Sequence, residues 1–154
     1  MFKFHTQNTI GKEGETLFKT LYPQFKANNV SKVTEPDFID DKGRKAEIKF
    51  DVSERARRNA QGEQMNFFIE TISNDNRQTL GGLLRAQEEG VDFYVYMFKK
   101  PQRVFIMDVN KAVKTMNELI ETGWYRKCRI RNPGYHTIGY PLPIEKFQDC
   151  FVDF

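Results

Sequence analysis

Two cysteines and two histidines are all that these 154 residues offer a thiol- or imidazole-loving metal. Cys128, Cys150, His5 and His136 make neither a disulfide framework nor a zinc site, and the cysteines are expected as reduced thiols. Apolar runs of membrane-spanning length are missing, and the opening Met-Phe-Lys-Phe-His lacks the hydrophobic core of a secretion signal. A cytoplasmic protein without a membrane partner is therefore expected. Internal repeats and low-complexity tracts are absent too. The excess of one charge sign over the other is small, a formal net of only +3, but acidic residues vanish entirely between Thr122 and Ile144.

Aromatic residues are plentiful. Fourteen Phe and six Tyr, within 39% apolar and 29% charged residues, support a folded chain rather than a disordered one. The length suits one domain over residues 1–154 with a single substantial core.

The most informative stretch is Pro36 to Lys49, P-D-F-I-D-D-K-G-R-K-A-E-I-K. Asp37 to Asp40 reads as a short strand, Asp41 to Arg44 as a tight turn in which Gly43 takes a positive φ, and Lys45 to Asp51 as the returning strand of a hairpin. On that strand Ala46, Ile48 and Phe50 alternate with Lys45, Glu47, Lys49 and Asp51, so a period of two sends the apolar set to the core and the charged set to the other face. Pairing through the turn brings Asp37 near Glu47. Mg²⁺ favours such a place: one or two carboxylates, with water and phosphate completing an octahedron. Asp37, Glu47 and the backbone carbonyl of Ile48 are the candidate metal ligands, and Lys49 the group that orients a water and offsets charge developing on a phosphate. By itself Glu-x-Lys also occurs as a charge pair on exposed strands.

With Pro36-Asp37 upstream and Glu47-Ile48-Lys49 on the returning strand, the hairpin resembles the PD-(D/E)XK nuclease superfamily. The resemblance implies an α/β restriction-endonuclease-like core, a mixed β-sheet flanked by α-helices, and Mg²⁺- or Mn²⁺-dependent hydrolysis of DNA. Gly11-Lys12-Glu13-Gly14-Glu15 with Phe18 is similar to the opening helix of Holliday-junction resolvases, whose first-helix glutamate helps with the metal or its water. That implies a catalytic set of Glu15, Asp37, Glu47 and Lys49, with Glu13 as the alternative to Glu15; acidic residues also suit a first helical turn whatever the function. Asn66 to Glu70 resembles the corresponding strand of small, mostly phage-encoded members, in which case the compartment is the host cytoplasm. Glu70 then either sits beside the metal from the adjacent strand or is an ordinary satisfied charge.

The remaining elements follow from pattern. A helix capped by Asn8 or Thr9 is expected from Gly11 to about Lys26, with Leu17, Phe18, Leu21 and Phe25 on one side, and a short strand over Val30 to Val33. Val52 to Gln64, with Arg55, Arg57 and Arg58, reads as a loop touching DNA, and Met65 to Ile72 as a central strand of the sheet. Next come a turn at Ser73 to Arg77, a helix over Leu80 to Glu89 that carries Gly81 and Gly82, strands over Val91 to Phe98 and Arg103 to Met107, and a helix over Lys111 to Glu121 capped by Asp108 or Asn110. Arg126, Lys127, Arg129 and Arg131, interleaved with Trp124, Tyr125 and Tyr135, fit either a phosphate-binding patch or a charged, defended strand edge. Pro143 to Phe147 reads as the start of a last helix, and Cys150 to Phe154 either folds back on the core or meets another copy.

The expectation is a metal-dependent deoxyribonuclease that cuts branched DNA as a homodimer, as junction-cleaving members of the superfamily do. Nicking, end-processing or RNA cleavage by the same fold is one alternative. A non-catalytic DNA-binding module is the other.

Overall fold

Alternation along a single strand divides the interior in two. The structure, a computed structural model, describes residues 4–27, 38–52, 66–99 and 101–153, and of residues 4–10 the backbone alone. Strand β6 (Phe93–Phe98) is buried at every position. Its Phe93, Val95 and Met97 enter one apolar cluster while Tyr94, Tyr96 and Phe98 enter another. A strand covered on both faces needs continuous apolar sequence, which F-Y-V-Y-M-F supplies.

Around β6 a five-stranded mixed sheet has the order β1-β2-β3-β6-β7, with β1 Phe25–Ala27, β2 Phe38–Asp40, β3 Lys45–Asp51 and β7 Arg103–Asp108. β3 runs parallel to β6 and the other neighbours are antiparallel. The expected hairpin is present: Phe38 faces Ala46, Ile39 faces Lys45, and Gly43 has φ +78°. Asp40 fixes the turn, its carboxylate accepting from the Lys42 and Arg44 amides at 3.0 and 2.7 Å and from Arg44 Nε at 2.8 Å.

Helix α1 (Phe4–Leu21) covers one face of this sheet through Leu17 and Phe18. It approaches so closely at Gly14 that a Cβ there would lie 2.7 Å from Phe50 Cβ. The helix begins earlier than its sequence suggests, so Asn8 and Thr9 lie inside it rather than capping it. It also stops at Leu21, short of the expected Lys26, because Pro23 disfavours helical geometry at Tyr22. Phe25 consequently serves the core from β1.

The other face carries helices α2 (Gly82–Glu88) and α3 (Val109–Glu121) and a second sheet. That sheet has the order β5-β4-β9-β8, with β4 Asn66–Asn74, β5 Thr79–Leu80, β8 Cys128–Asn132 and β9 Tyr135–Pro143. Two sheets replace the single one expected, and β4 is central in the second rather than a neighbour of β3. Periodicity shows β4 to be a strand but cannot show its long-range partner, β9, in which Pro143 faces Asn66 and Ile138 faces Ile72. Thr79 and Leu80 pair with β4, so α2 is shorter than the expected helix. Of the two expected caps, Asp108 is the one that caps α3, accepting from the Lys111 amide at 2.9 Å, and Asn110 lies inside the helix. A 3-10 helix over Ile144–Cys150 follows β9, after which Phe151 bridges Met107 and the Val152 amide donates to the Ile106 carbonyl at 2.9 Å. The tail thus folds back on β7. Among the described residues no helix is long and apolar enough to cross a membrane.

Candidate functional site

The charged face of β3 looks into the layer between the two sheets. Glu47, Lys49 and Asp51 share it, while Ala46, Ile48 and Phe50 turn toward α1. Register sets Glu47 beside Tyr94 and Lys49 beside Tyr96 on β6. Across the layer, Lys49 Nζ reaches Glu70 Oε1 of β4 at 3.2 Å, and Arg85 of α2 brings a guanidinium nitrogen to Glu47 Oε1 at 3.3 Å. Two ion pairs from three elements therefore gather beside Tyr94, with the Asp51 carboxylate on the same face of β3. Water reaches them unevenly: the side chains of Lys49, Arg85 and Glu70 are 33%, 30% and 25% exposed, that of Glu47 14%.

Two buried tyrosines floor the cluster. The Tyr96 hydroxyl donates to Asp51 Oδ2 at 2.5 Å and accepts from the Phe68 amide at 3.1 Å, tying β3 to β4 through β6. Burial, then the Asp51 charge, raises its pKa well above the usual 10.0. The Tyr94 hydroxyl is likewise pushed well above 10.0, first by burial and then by the Glu70 and Glu47 carboxylates. Both phenols stay protonated at any physiological pH, so they hold and orient rather than exchange protons.

Glu70 is located by backbone contact. Gly81 donates to the Thr71 carbonyl at 3.0 Å, and a Cβ on Gly81 would fall 1.8 Å from the Glu70 carbonyl oxygen. A Cβ on Gly82 would stand 3.4 Å from the Tyr94 hydroxyl. The Gly-Gly pair is there for close packing of α2 on β4 and β6, which in turn aims Arg85.

Of the residues singled out in the sequence, the structure brings Glu47, Lys49 and Glu70 together. Glu70 arrives from the opposing sheet instead of an adjacent strand. Asp37 lies outside the described residues, immediately before Phe38 in the chain, as do Val30 to Val33, Arg55, Arg57 and Arg58. Ile48 is a β3 residue whose side chain packs against the α1 core. Glu15 is exposed on α1, next to the Gly14 that presses on Phe50. Glu13 is engaged by Lys99 at 2.9 Å. The sequence pattern places Asp51 on the charged face but gives no role to it, to Arg85 or to Tyr96. Arg85 is the lone charge in Thr79 to Ala86, T-L-G-G-L-L-R-A, just as Glu70 is in its own apolar strand, and that oddity was the available signal.

No family model and no curated protein sequence matches the chain. Its chemistry is therefore read from the side chains themselves. Among the described residues no group of three or more His, Cys, Asp and Glu is gathered to hold a metal. Glu47 nonetheless supplies a hard oxygen donor of the kind Mg²⁺ or Mn²⁺ accepts with one or two protein carboxylates, so its donor chemistry fits.

The basic segment of residues 124–131 leads into β8, an edge strand of the second sheet. Trp124 is 88% exposed, and Arg129 is drawn to Asp75 at 3.2 Å. An edge guarded by charge and a patch for phosphates both fit this placement.

Proposed function

We propose that this protein is a divalent-metal-dependent deoxyribonuclease with a restriction-endonuclease-like core, acting on branched DNA in the manner of a Holliday-junction resolvase. One observation carries the reading: Glu47 and Lys49 leave the same face of β3 and meet a second carboxylate and a second cation in a layer open to water. A hairpin strand that only guarded an edge would need neither an opposing Glu70 nor an Arg85.

In this reading Glu47, Asp37 and the Ile48 carbonyl hold Mg²⁺ or Mn²⁺, with Asp37 contributed from just before β2. When bound, the ion supplies Lewis-acid polarisation of the phosphate and acidifies a water. Lys49 positions the attacking water by hydrogen bonding and neutralises charge that grows on the phosphate oxygens. Glu70 holds the Lys49 ammonium in place between turnovers; Glu15 lies on α1, which covers the opposite face of β3. Arg126, Lys127 and Arg131, with Trp124, supply contacts to the DNA backbone and to an unpaired base near a branch. Two copies acting as a homodimer would cut a junction symmetrically.

A second reading has support of its own. Glu47 and Lys49 are both engaged in ion pairs, as they would be in a DNA-binding module that no longer cuts.

Incubation of wild type, Asp37→Ala and Lys49→Ala with supercoiled plasmid, linear duplex and a four-way junction, in Mg²⁺ or EDTA, separates these readings. Mg²⁺-dependent cutting at the branch by wild type alone supports the proposal. Binding without any cutting favours the module, and cutting of plasmid and linear DNA that ignores the branch removes the resolvase assignment.

A further inference from the structure

We propose that His136 and Arg131, a facing pair near the tip of the β8–β9 hairpin, grip the backbone phosphates of an unpaired DNA strand, with Asp75 positioning the imidazole. The inference deepens the backbone contact proposed above for Arg131 and rests on that contact alone, not on a metal or on hydrolysis. The place is separate from Glu47 and Lys49. β8 is the outer strand of the second sheet, and β9 stands between it and the β4 that carries Glu70.

Local sequence builds the pair. Asn132 faces Tyr135 across Pro133-Gly134, with Gly134 at φ +82°, so a two-residue turn sets Arg131 opposite His136. Facing residues of an antiparallel pair share one face with Cβ atoms about 4.5–5.5 Å apart, near enough for one phosphate to touch both side chains. Arg129 shares that face two positions back, opposite Ile138.

The turn after β4 holds the hairpin in place. The Asp75 amide donates to the His136 carbonyl at 3.0 Å, the His136 amide donates to Asp75 Oδ1 at 2.8 Å, and the Asn76 side chain donates to the Gly134 carbonyl. His136 Nδ1 then lies 3.4 Å from Asp75 Oδ2, with the imidazole side chain 34% exposed. A carboxylate at Nδ1 keeps a proton there and leaves Nε2 as the nitrogen for a ligand. Asp75 itself stays ionised: the hydrogen bond from the His136 amide and, against some desolvation, the Arg129 guanidinium hold its pKa below 3.8.

The charges select an oxyanion. Arg129 gives Asp75 one nitrogen at 3.2 Å and is 64% exposed, so further donors of its guanidinium are open to water. Arg131 is exposed and has no ion-pair partner among the described residues. Guanidinium and phosphate match in a two-bond geometry. The two arginines repeat along β8 at about 7 Å, as phosphates repeat along a DNA strand, and exposed Trp124 in the segment leading into β8 offers a ring to an unpaired base. Nε2 can donate to a phosphodiester only when both ring nitrogens carry protons. Asp75 favours that state while Arg129 and Arg131 oppose it, so a phosphate that offsets the arginines draws a proton onto His136 as it binds.

Calorimetry on the full-length protein with a short oligothymidylate free of terminal phosphates, repeated in buffers of different ionisation enthalpy near neutral pH, reads the protons taken up per strand bound. Wild type should take up protons. His136→Gln should take up none and bind up to about five-fold more weakly, the size of one part-exposed charged contact. Arg131→Gln should lower the slope of log affinity against log salt by about 0.7, the value of one single-strand phosphate contact. Its side chain is exposed, so it carries the test if His136→Gln does not fold. Lys114→Gln, the same loss of charge at an exposed position of α3, should change neither quantity.

A histidine that only fastened the hairpin would leave proton uptake as it is in wild type, and that result overturns the proposal. So does a wild type that binds no strand or binds one without proton uptake, or a salt slope that Arg131→Gln moves no more than Lys114→Gln does. Uptake and affinity that depend on these residues, with no DNA cut under any condition, leave this site standing and remove the nuclease reading. Mg²⁺-dependent cutting without proton uptake on binding does the reverse.

Discussion

Lys49 of β3 and Glu70 of β4 meet at 3.2 Å although their strands belong to different sheets. The pair is a third and a quarter exposed, at 33% and 25%, so its worth to stability is small, about 0.2–1 kcal/mol for such contacts. A double-mutant cycle over Lys49→Ala and Glu70→Ala, read by urea unfolding, should return a coupling in that range. A coupling of several kcal/mol would mean that the pair serves the fold rather than a reaction.

Gly81 is where the second sheet is held to α2. With a Cβ only 1.8 Å from the Glu70 carbonyl oxygen, Gly81→Ala must push α2 or β4 aside. Overpacking of this kind costs about 1–3 kcal/mol or more. Thermal unfolding of Gly81→Ala should show that loss, whereas Gly43→Asn, at an exposed turn with φ +78° and open space around it, should be far milder. Equal melting temperatures for Gly81→Ala and wild type would contradict the packing described.

Tyr96 links three strands through one oxygen. Tyr96→Phe keeps the ring in its aromatic cluster but leaves the Phe68 amide and the Asp51 carboxylate without that hydroxyl. A buried donor stripped of its acceptor costs about 1–3 kcal/mol. Chemical denaturation should register it, together with faster hydrogen exchange at the Phe68 amide. An unchanged midpoint would show the hydroxyl to be dispensable.

Asp40 gives the hairpin an acid limit. Burial alone would raise its pKa, but hydrogen bonds from the Arg44 amide and side chain and from the Lys42 amide outweigh burial, and the net value falls below the ordinary 3.8. A folded-state pKa below the unfolded one means that stability is fully present above 3.8 and fades as pH drops through the folded value. Stability measured from pH 5 to pH 2 should therefore fall, and less steeply in Asp40→Asn. Identical slopes for the two proteins would refute this role.

Much of the site could be read from the chain alone. The hairpin was legible because Asp40 and Gly43 specify a turn and the alternation from Lys45 to Asp51 specifies a face; both are local properties of consecutive residues. The end of α1 was misplaced because apolar spacing continued through Phe25, while Pro23 had already broken the helix. The second sheet was illegible for a different reason. Asn66 to Ile72 declares itself a strand, but its pairing with β9 is fixed by long-range packing, including Gly139 pressed on Ile69 and Phe68, and nothing local encodes that choice. Arg85 was missed for the same cause: its meeting with Glu47 depends on how α2 docks on β4. Glu70 was noticed only as a charge out of place in an apolar strand.

Cleavage of supercoiled plasmid with Mg²⁺ titrated from zero, compared for wild type, Glu47→Gln and Lys49→Ala at matched thermal stability, tests the central claim most directly. Mg²⁺-dependent nicking by wild type is expected, with both variants slowed about a hundred-fold or more, the effect of removing a group that stabilises charge in the transition state. Nicking by either variant at the wild-type rate, or none by wild type at any Mg²⁺ concentration, would contradict the claim that Glu47 and Lys49 hydrolyse DNA.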